Sequence, residues 1–333
     1  MTKKQKPIVL ITGSEGNVGK ALKKALKSDY EVVGLDRSGT GCDIEFDITE
    51  YSSIKDAVKK FKKQYGKKVA AVIHLAAYFD FTGEDSPLYD SVNVQGTEYL
   101  LEGLKSLDVE RFVYSGTMLG HEPCAVGEFV NEEKHIKPKW AYPESKAEAE
   151  DKIKQHHGNI PYTILRLAGL YDESSAVPTL MHQISRIYEK DLKSFLYAGD
   201  KKAGQSFIHK KDMVSLFKRV IDKRNDLPKT GAILAGEPEV MGYEELQNNI
   251  GELTHGKSQW STISLPKSIA KLGAYTEEVA EPIIPDSFDE GKKPFIKPFM
   301  VDMASDHYAL DVTKAEKLLD WQPKHKVHPT KDC

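Results

Sequence analysis

The sequence predicts an α/β fold, a doubly wound parallel sheet with helices on both faces. Two observations carry that expectation. Short apolar runs alternate with amphipathic stretches through the first half of the chain, and a turn containing three glycines joins the first run to the first amphipathic stretch. Repeated strand–helix units close through right-handed crossovers and so build a parallel sheet.

The elements follow in order. Apolar runs at Ile8–Ile11, Val32–Leu35, Val69–Leu75, Phe112–Tyr114 and Tyr162–Leu167 read as strands. Between them, Ser52–Tyr65 repeats Ile54, Ala57, Val58 and Phe61 at helical spacing, and Asn93–Leu107 and Tyr142–His156 also read as helices. After Tyr171 the alternation loosens. Val177–Glu189 reads as a helix, Phe195–Ala198 as a strand ending in a turn at Gly199–Asp200, and Phe207–Ile221 with Gly231–Pro238 as a return to the sheet. From Val279 to Phe299 the chain mixes Pro, Phe and charge, which suits an irregular lobe over a pocket or a surface loop. The ending WQPKHKVHPTKDC has no helix or strand to cap it, which suggests a truncated chain or one domain of a longer protein.

Composition excludes several function classes. With 47 Lys+Arg against 50 Asp+Glu the net charge is −3, which offers no field for nucleic acid or an anionic membrane. Cys42, Cys124 and Cys333 are scattered and form no CxxC pair, so neither a disulfide framework nor a metal site is expected. A reduced, cytoplasmic compartment fits that usage. The N-terminus has no signal-peptide core, and no apolar stretch reaches membrane-spanning length.

The glycine turn carries the first chemistry. TGSEGNVG sets Gly13, Gly16 and Gly19 three residues apart, with Asn17 and Val18 opening the following helix. A tight turn lets backbone approach a pyrophosphate closely, and the helix N-terminus supplies free N–H groups and partial positive charge. Asp36 closes the second strand, where a carboxylate accepts the hydroxyls of an adenosine ribose and repels a 2′-phosphate. The expected cofactor is therefore NAD rather than NADP, although Arg37 follows at once and suits a phosphate. Asp47 and Ile48 follow a third strand-like segment, at a height suited to adenine. In HLAA, Leu75, Ala76 and Ala77 are small enough for backbone to lie along the cofactor, and His74 reads as structural.

YPESK places Tyr142 and Lys146 at i and i+4, on one helix face. A free phenol titrates too high to be a base near neutrality; a neighbouring ammonium, together with a cationic nicotinamide, favours the phenolate and brings it into working range. Tyr51–Lys55 and Tyr197–Lys201 share the spacing. Tyr197 runs into a turn that breaks the helix, and Tyr51 precedes the fourth strand. Only Tyr142 follows a strand ending in YSGT, which offers Ser115 and Thr117 at the C-terminal edge of the sheet, where open α/β sheets bind ligands.

In these motifs the chain resembles an extended short-chain dehydrogenase/reductase of the NAD-dependent epimerase/dehydratase family. The ordered set runs from TGSEGNVG through GLD, HLAA, VNVQGT, YSGT, YPESK and LRLAGLY to FIHKKDM, with a weaker LLDWQP near the end. The resemblance implies a Rossmann-type sheet with a smaller C-terminal substrate lobe. It implies Thr117 orienting the substrate oxygen, Tyr142 as acid/base, Lys146 as its partner, Asn93 in support, and Leu75, Ala76 and Ala77 against the cofactor. On that scheme residues 1–172 form the NAD-binding domain, 173–205 an insertion of the substrate lobe, 206–238 the return to the sheet, 239–322 the rest of the lobe, and 323–333 a tail. A homodimer through the helices at Asn93–Leu107 and Tyr142–His156 fits the resemblance.

The departures narrow the expected reaction. Met118 and Leu119 stand where dehydratases of the family carry an acidic pair, and Gly169 stands near the epimerases' asparagine. Asn225–Cys333 contains no arginine to grip a diphosphate, with Lys257 and Lys292 as substitutes. Arg166 reads as half of a structural ion pair. The expectation is reversible hydride transfer at a secondary alcohol or ketone of a small-molecule substrate, in a pocket more apolar than phosphate-binding. Two rival readings stand beside it: a simple NAD(P)-dependent dehydrogenase or reductase on a non-nucleotide alcohol, sterol-like or small, and a non-catalytic NAD-sensing regulator.

Overall fold

In the computed structural model, seven parallel strands run side by side through the middle of the chain's first 240 residues. The structure describes residues 6–81, 83–280 and 297–327, without the side chains of 276–280. The strands are β1 (Ile8–Thr12), β2 (Glu31–Asp36), β3 (Ile44–Glu45), β4 (Ala71–His74), β5 (Phe112–Thr117), β6 (Tyr162–Leu167) and β7 (Ala232–Ala235). Across the sheet their order is β7-β6-β5-β4-β1-β2-β3. The chain thus winds outward from β1 in one direction, returns, and winds outward from β4 in the other. Every pairing is parallel. The reversal between β1 and β4 opens a crevice at the C-terminal ends of the strands, where such sheets take ligands.

Strand period explains why both faces are covered. In β1, Val9 and Ile11 enter one core cluster while Ile8 and Leu10 enter the other. The first cluster is completed by helix α1 (Asn17–Leu26), through Leu22 and Leu26, and by α6 (Lys210–Asp222), through Met213, Leu216 and Phe217. On the opposite face lie α2 (Tyr51–Tyr65), α3 (Gly96–Leu104) and α4 (Ala141–His156), contributing Phe61, Leu101 and Ile153 among others. The stretch expected as one helix from Asn93 instead begins as a π-helical segment, Tyr89–Gln95, and continues as α3. Its wider i→i+5 closure, Gly96 N–H to the Ser91 carbonyl, re-aims the side chains on that face.

A third cluster belongs to the second half. Helix α5 (Pro178–Tyr188) packs Leu180 and Ile187 against Leu246 and Ile250 of α7 (Tyr243–His255) and against Trp260. Helices α8 (Lys267–Ala280) and α9 (Pro298–Met303) follow, then α10 (Thr313–Leu319), which returns Ala315 and Leu319 to the first cluster. The expected strand at Phe195–Ala198 is a two-residue pairing, Leu196–Tyr197 with Ile263–Ser264.

The residues after α10 are held rather than loose. Trp321 Nε1 donates to the Asp212 carbonyl at 3.2 Å, and the Lys324 and His325 N–H groups donate to the Asp212 carboxylate at 2.9 and 2.8 Å. The expected tail therefore begins as a strap across the start of α6. Residues 328–333, with Cys333, lie outside the described residues. So do Asp286, Phe288, Asp289, Glu290, Lys292 and Phe295 of the Pro- and Phe-rich segment.

Candidate active site

The glycine turn is shaped by contacts that leave no room for side chains. Gly13 sits at φ +69°, and a Cβ there would stand 2.9 Å from the Ala76 amide nitrogen. At Gly19 a Cβ would stand 2.3 Å from the Gly13 carbonyl oxygen, so this glycine lets α1 pack onto the turn. Gly16 differs: its only neighbour would be the Gly13 oxygen at 3.4 Å, so the space above it is open. It caps α1 with no side-chain bond, and the first turn holds no acidic residue. Free N–H groups over an open cradle fit a pyrophosphate.

Asp36 closes the same crevice. Its two carboxylate oxygens accept from Glu15 N–H and Arg37 N–H, each at 2.8 Å, which fixes the carboxylate beside the turn and leaves further lone pairs for a ribose. Asp47 is exposed and accepts from Thr49, while Ile48 is buried against the open face of Gly96. Asn17 is tethered to Lys210 of α6 at 3.3 Å; the same ammonium pairs with Asp172, whose carboxyl it holds far below the usual range.

The ends of β1 and β4 are joined by one hydrogen-bonded chain. Thr97 donates to the Asn93 carbonyl at 2.6 Å and so accepts from His74 Nε2 at 3.0 Å. His74 Nδ1 then accepts from Thr12 at 2.7 Å, and the Thr12 oxygen accepts from the Leu75 and Ala76 amides. The network assigns a neutral imidazole with its proton on Nε2. Burial, with the Lys146 charge adding to it, pushes His74 down to about 3. His74 is a structural post, as its place at the strand end implies.

Beyond this post opens a cavity of about 960 Å³. Thr117, Tyr142 and Lys146 line it together with Ser115, Leu75, Ala77, Asn17 and Val18. The rival pairs differ: Tyr51, at the start of α2, packs on Tyr99 and is not among the lining residues, whereas Tyr197 also lines the cavity but donates its hydroxyl to the Ala304 carbonyl while Lys201 donates to the Thr262 carbonyl. The Thr117 oxygen accepts from Leu119 N–H at 3.2 Å, so its own proton remains available to a ligand. Lys146 is 3% exposed, lies 4.3 Å over the Tyr114 ring, and donates to no described residue. Burial drives its ammonium down to about 7, against the opposing pull of Glu150.

In the protein alone, Lys146 does not bring the Tyr142 phenol down. Burial, with Tyr89 adding to it, pushes the phenol up to about 12. In the free protein the hydroxyl thus stays protonated near neutrality. Aromatic rings surround it: Phe79 edge-on at 4.6 Å and Trp140 at 5.5 Å, with Phe81 and Phe299 each against Trp140.

Asn93 stands behind the cavity wall. Its amide accepts from Tyr78 N–H and donates to the Tyr78 carbonyl and to Ser145, which in turn donates to the Tyr142 carbonyl. It reaches the site through α4 and the loop after β4. Arg166 is the expected structural pair: buried, it forks onto Glu150 at 2.7 Å and meets His121 Nε2 at 2.9 Å.

One functional candidate was not anticipated. Arg186 of α5 lines the cavity, so an arginine stands in the lobe after all, ahead of the arginine-free stretch Asn225–Cys333. Lys257, expected as a substitute, packs over Trp260 instead.

Residues 9–236 match the profile of the NAD dependent epimerase/dehydratase family. Among curated proteins, one of Methanocaldococcus jannaschii assigned as a UDP-glucose 4-epimerase is 28% identical over 236 residues, covering 67% of this chain and 76% of that protein. Short-chain dehydrogenase/reductase family 42E member 1 of Bos taurus is 27% identical over 270 residues, covering 74% and 66%. Among solved structures, UDP-glucuronic acid 4-epimerase from Bacillus cereus, in complex with UDP-glucuronic acid and NAD, superposes with a TM-score of 0.67 at 19% identity, over 96% of this chain and 95% of that one. At that identity the likeness speaks for the fold.

Proposed function

The chain belongs to the NAD-dependent epimerase/dehydratase family, and from that premise we propose that it catalyses reversible hydride transfer between NAD and a secondary alcohol or ketone. One observation carries the reading: Thr117, Tyr142 and Lys146 line a single cavity with Asn17 and Val18 of the glycine turn, and Lys146, 3% exposed, donates to no described residue. An ammonium on a cavity wall with no protein acceptor is free to hold a ligand's hydroxyls.

The turn at Gly13–Gly19 would hold the pyrophosphate, Asp36 the adenosine ribose, and Lys146 the hydroxyls of the nicotinamide ribose. When bound, NAD would supply the hydride acceptor. Thr117 donates its free proton to the substrate oxygen and fixes it. Tyr142 exchanges the hydroxyl proton of the substrate: with its pKa raised to about 12 it carries the proton that a carbonyl oxygen takes up as hydride arrives. Removing a proton from an alcohol needs that value lowered, which more positive charge beside the ring achieves. We assign residues 173–205 and the described residues of 239–322 to the substrate lobe; between them 206–238 bring the chain back to the sheet at Ala232–Ala235.

The aromatic surround favours a second reading, a dehydrogenase on a non-nucleotide alcohol. Phe79, Phe81 and Trp140 present apolar faces beside Tyr142, where a polar sugar ring would bury hydroxyls against carbon. The test is absorbance at 340 nm with NAD and parallel panels of secondary alcohols and UDP-sugars. Turnover or transient reduction confined to the alcohols supports the second reading, confined to UDP-sugars the first, and none with either refutes the proposal.

A further inference from the structure

The unpaired polar atoms of this protein are not scattered. Six buried side-chain atoms lack a hydrogen-bond partner among the described residues, and four belong to one region: Arg186 Nε, Gln183 Oε1, Ser194 Oγ and Tyr243 OH. Arg186, Gln183 and Tyr243 line the cavity on the wall made by α5 and α7. Native interiors pair nearly all such atoms, and a local concentration of exceptions marks a place built for something else.

Arg186 is the anomaly among them. It is 7% exposed, yet no carboxylate pairs with it among the described residues. Its one side-chain hydrogen bond among the described residues runs from Nη1 to the Lys193 carbonyl at 3.3 Å, and its guanidinium lies 5.8 Å from the Tyr243 ring. Arg111 and Arg166, equally buried, show how this fold treats an arginine it needs for structure. Arg111 spends its donors on the Arg224, Leu227 and Pro228 carbonyls, and Arg166 forks onto Glu150. Burial without a paired carboxylate costs stability, and against the weaker opposing pull of Asp191 it pushes even the Arg186 guanidinium down to about 10. Such a cost persists where a ligand offsets it.

We propose that Arg186 selects the substrate by holding an oxyanion, a phosphate ester or a carboxylate, on the α5–α7 wall of the cavity. The planar fork matches either group. Between this wall and Tyr142 the lining is largely apolar, with Leu167, Leu170, Val177, Leu246 and Met300. The substrate class is thus an apolar secondary alcohol or ketone bearing one anionic head. This rests on the proposed function for the reacting end but on Arg186 alone for the head.

The experiment is isothermal titration of octyl phosphate, octanoate and 1-octanol into wild type, Arg186→Met and Arg186→Lys, with and without NAD, beside thermal unfolding of each ligand-free protein. Charge-assisted hydrogen bonds predict that wild type binds an anion about tenfold to a hundredfold more tightly than octanol. The tighter anion identifies the head as phosphate or carboxylate. Arg186→Met abolishes the preference, Arg186→Lys restores part of it, and Arg186→Met raises the midpoint of unfolding because it removes an unpaired buried charge. Equal binding of octanol, no saturable binding of either anion, a preference retained in Arg186→Met, or a lowered midpoint in that variant would each overturn the proposal. Failure of NAD to bind would instead count against the proposed hydride transfer, since the titrations without NAD still decide the role of Arg186.

Discussion

Replacing Lys146 with Met tests whether the site holds its lysine against the protein's own stability. The ammonium's pKa falls from an ordinary 10.5 to about 7 because it is buried. At about 1.36 kcal/mol for each tenfold in proton affinity, the charged form is disfavoured by roughly 4–5 kcal/mol in the fold. The sign follows from proton counting. Between pH 7 and 10.5 the unfolded chain binds the proton and the folded chain releases it, so stability rises with pH across that window. The penalty is whole below pH 7 and nearly gone by pH 10. Methionine keeps the unbranched stem over the Tyr114 ring without charge. Urea unfolding of wild type and Lys146→Met at pH 6 and pH 10 reads the difference. The variant is expected to be more stable by a few kcal/mol at pH 6 and by under about 1 kcal/mol at pH 10. A variant less stable than wild type at pH 6, or a difference that does not change with pH, would refute the reasoning.

Other outcomes follow from the same geometry. Gly19→Ala drives a Cβ to 2.3 Å from the Gly13 oxygen, a backbone clash expected to cost about 1–3 kcal/mol or more and to weaken NAD binding; calorimetry against Gly16→Ala, which meets nothing closer than 3.4 Å, separates the fold from the cradle. Asp36→Ala is expected to narrow the preference for NAD over NADP, measured as the ratio of the two dissociation constants, and an unchanged ratio would remove Asp36 from the ribose. Glu150→Gln leaves Arg166 buried without its carboxylate and is expected to lose about 3–5 kcal/mol in urea unfolding; a loss under 1 kcal/mol would mean water reaches the pair.

Local signals were readable from the residues alone. Gly13 and Gly19 are required by contacts within a few residues or across one strand pair, so their spacing announced the turn. Tyr142 was separable from Tyr51 and Tyr197 because the strand before it supplies Thr117, and the cavity lining includes all three catalytic candidates. What tertiary packing alone creates stayed hidden. Phe79 and Phe81 come from the loop after β4, Trp140 from the residue capping α4, and Phe299 from α9; nothing in their spacing foretells one cluster. The π-helical segment that turns Asn93 inward leaves no hydrophobic period to read. The rise in the Tyr142 pKa was invisible because it depends on how completely water is excluded. Arg186 did leave a trace. Leu180, Gln183, Arg186 and Ile187 fall on one stripe of α5, and an arginine on the buried stripe of an amphipathic helix is a signal in itself.

The central claim is that Tyr142 moves a proton while NAD, held by the glycine turn, exchanges hydride with an alcohol. Absorbance at 340 nm, followed with NAD and the best secondary alcohol for wild type and Tyr142→Phe, tests it, with NAD affinity measured on the same samples. The account predicts a loss of about 10²–10⁴-fold in rate with NAD affinity within a few-fold of wild type, since the ring still packs on Phe79 and Trp140. A near-normal rate in Tyr142→Phe, or no binding of NAD by wild type, would contradict it.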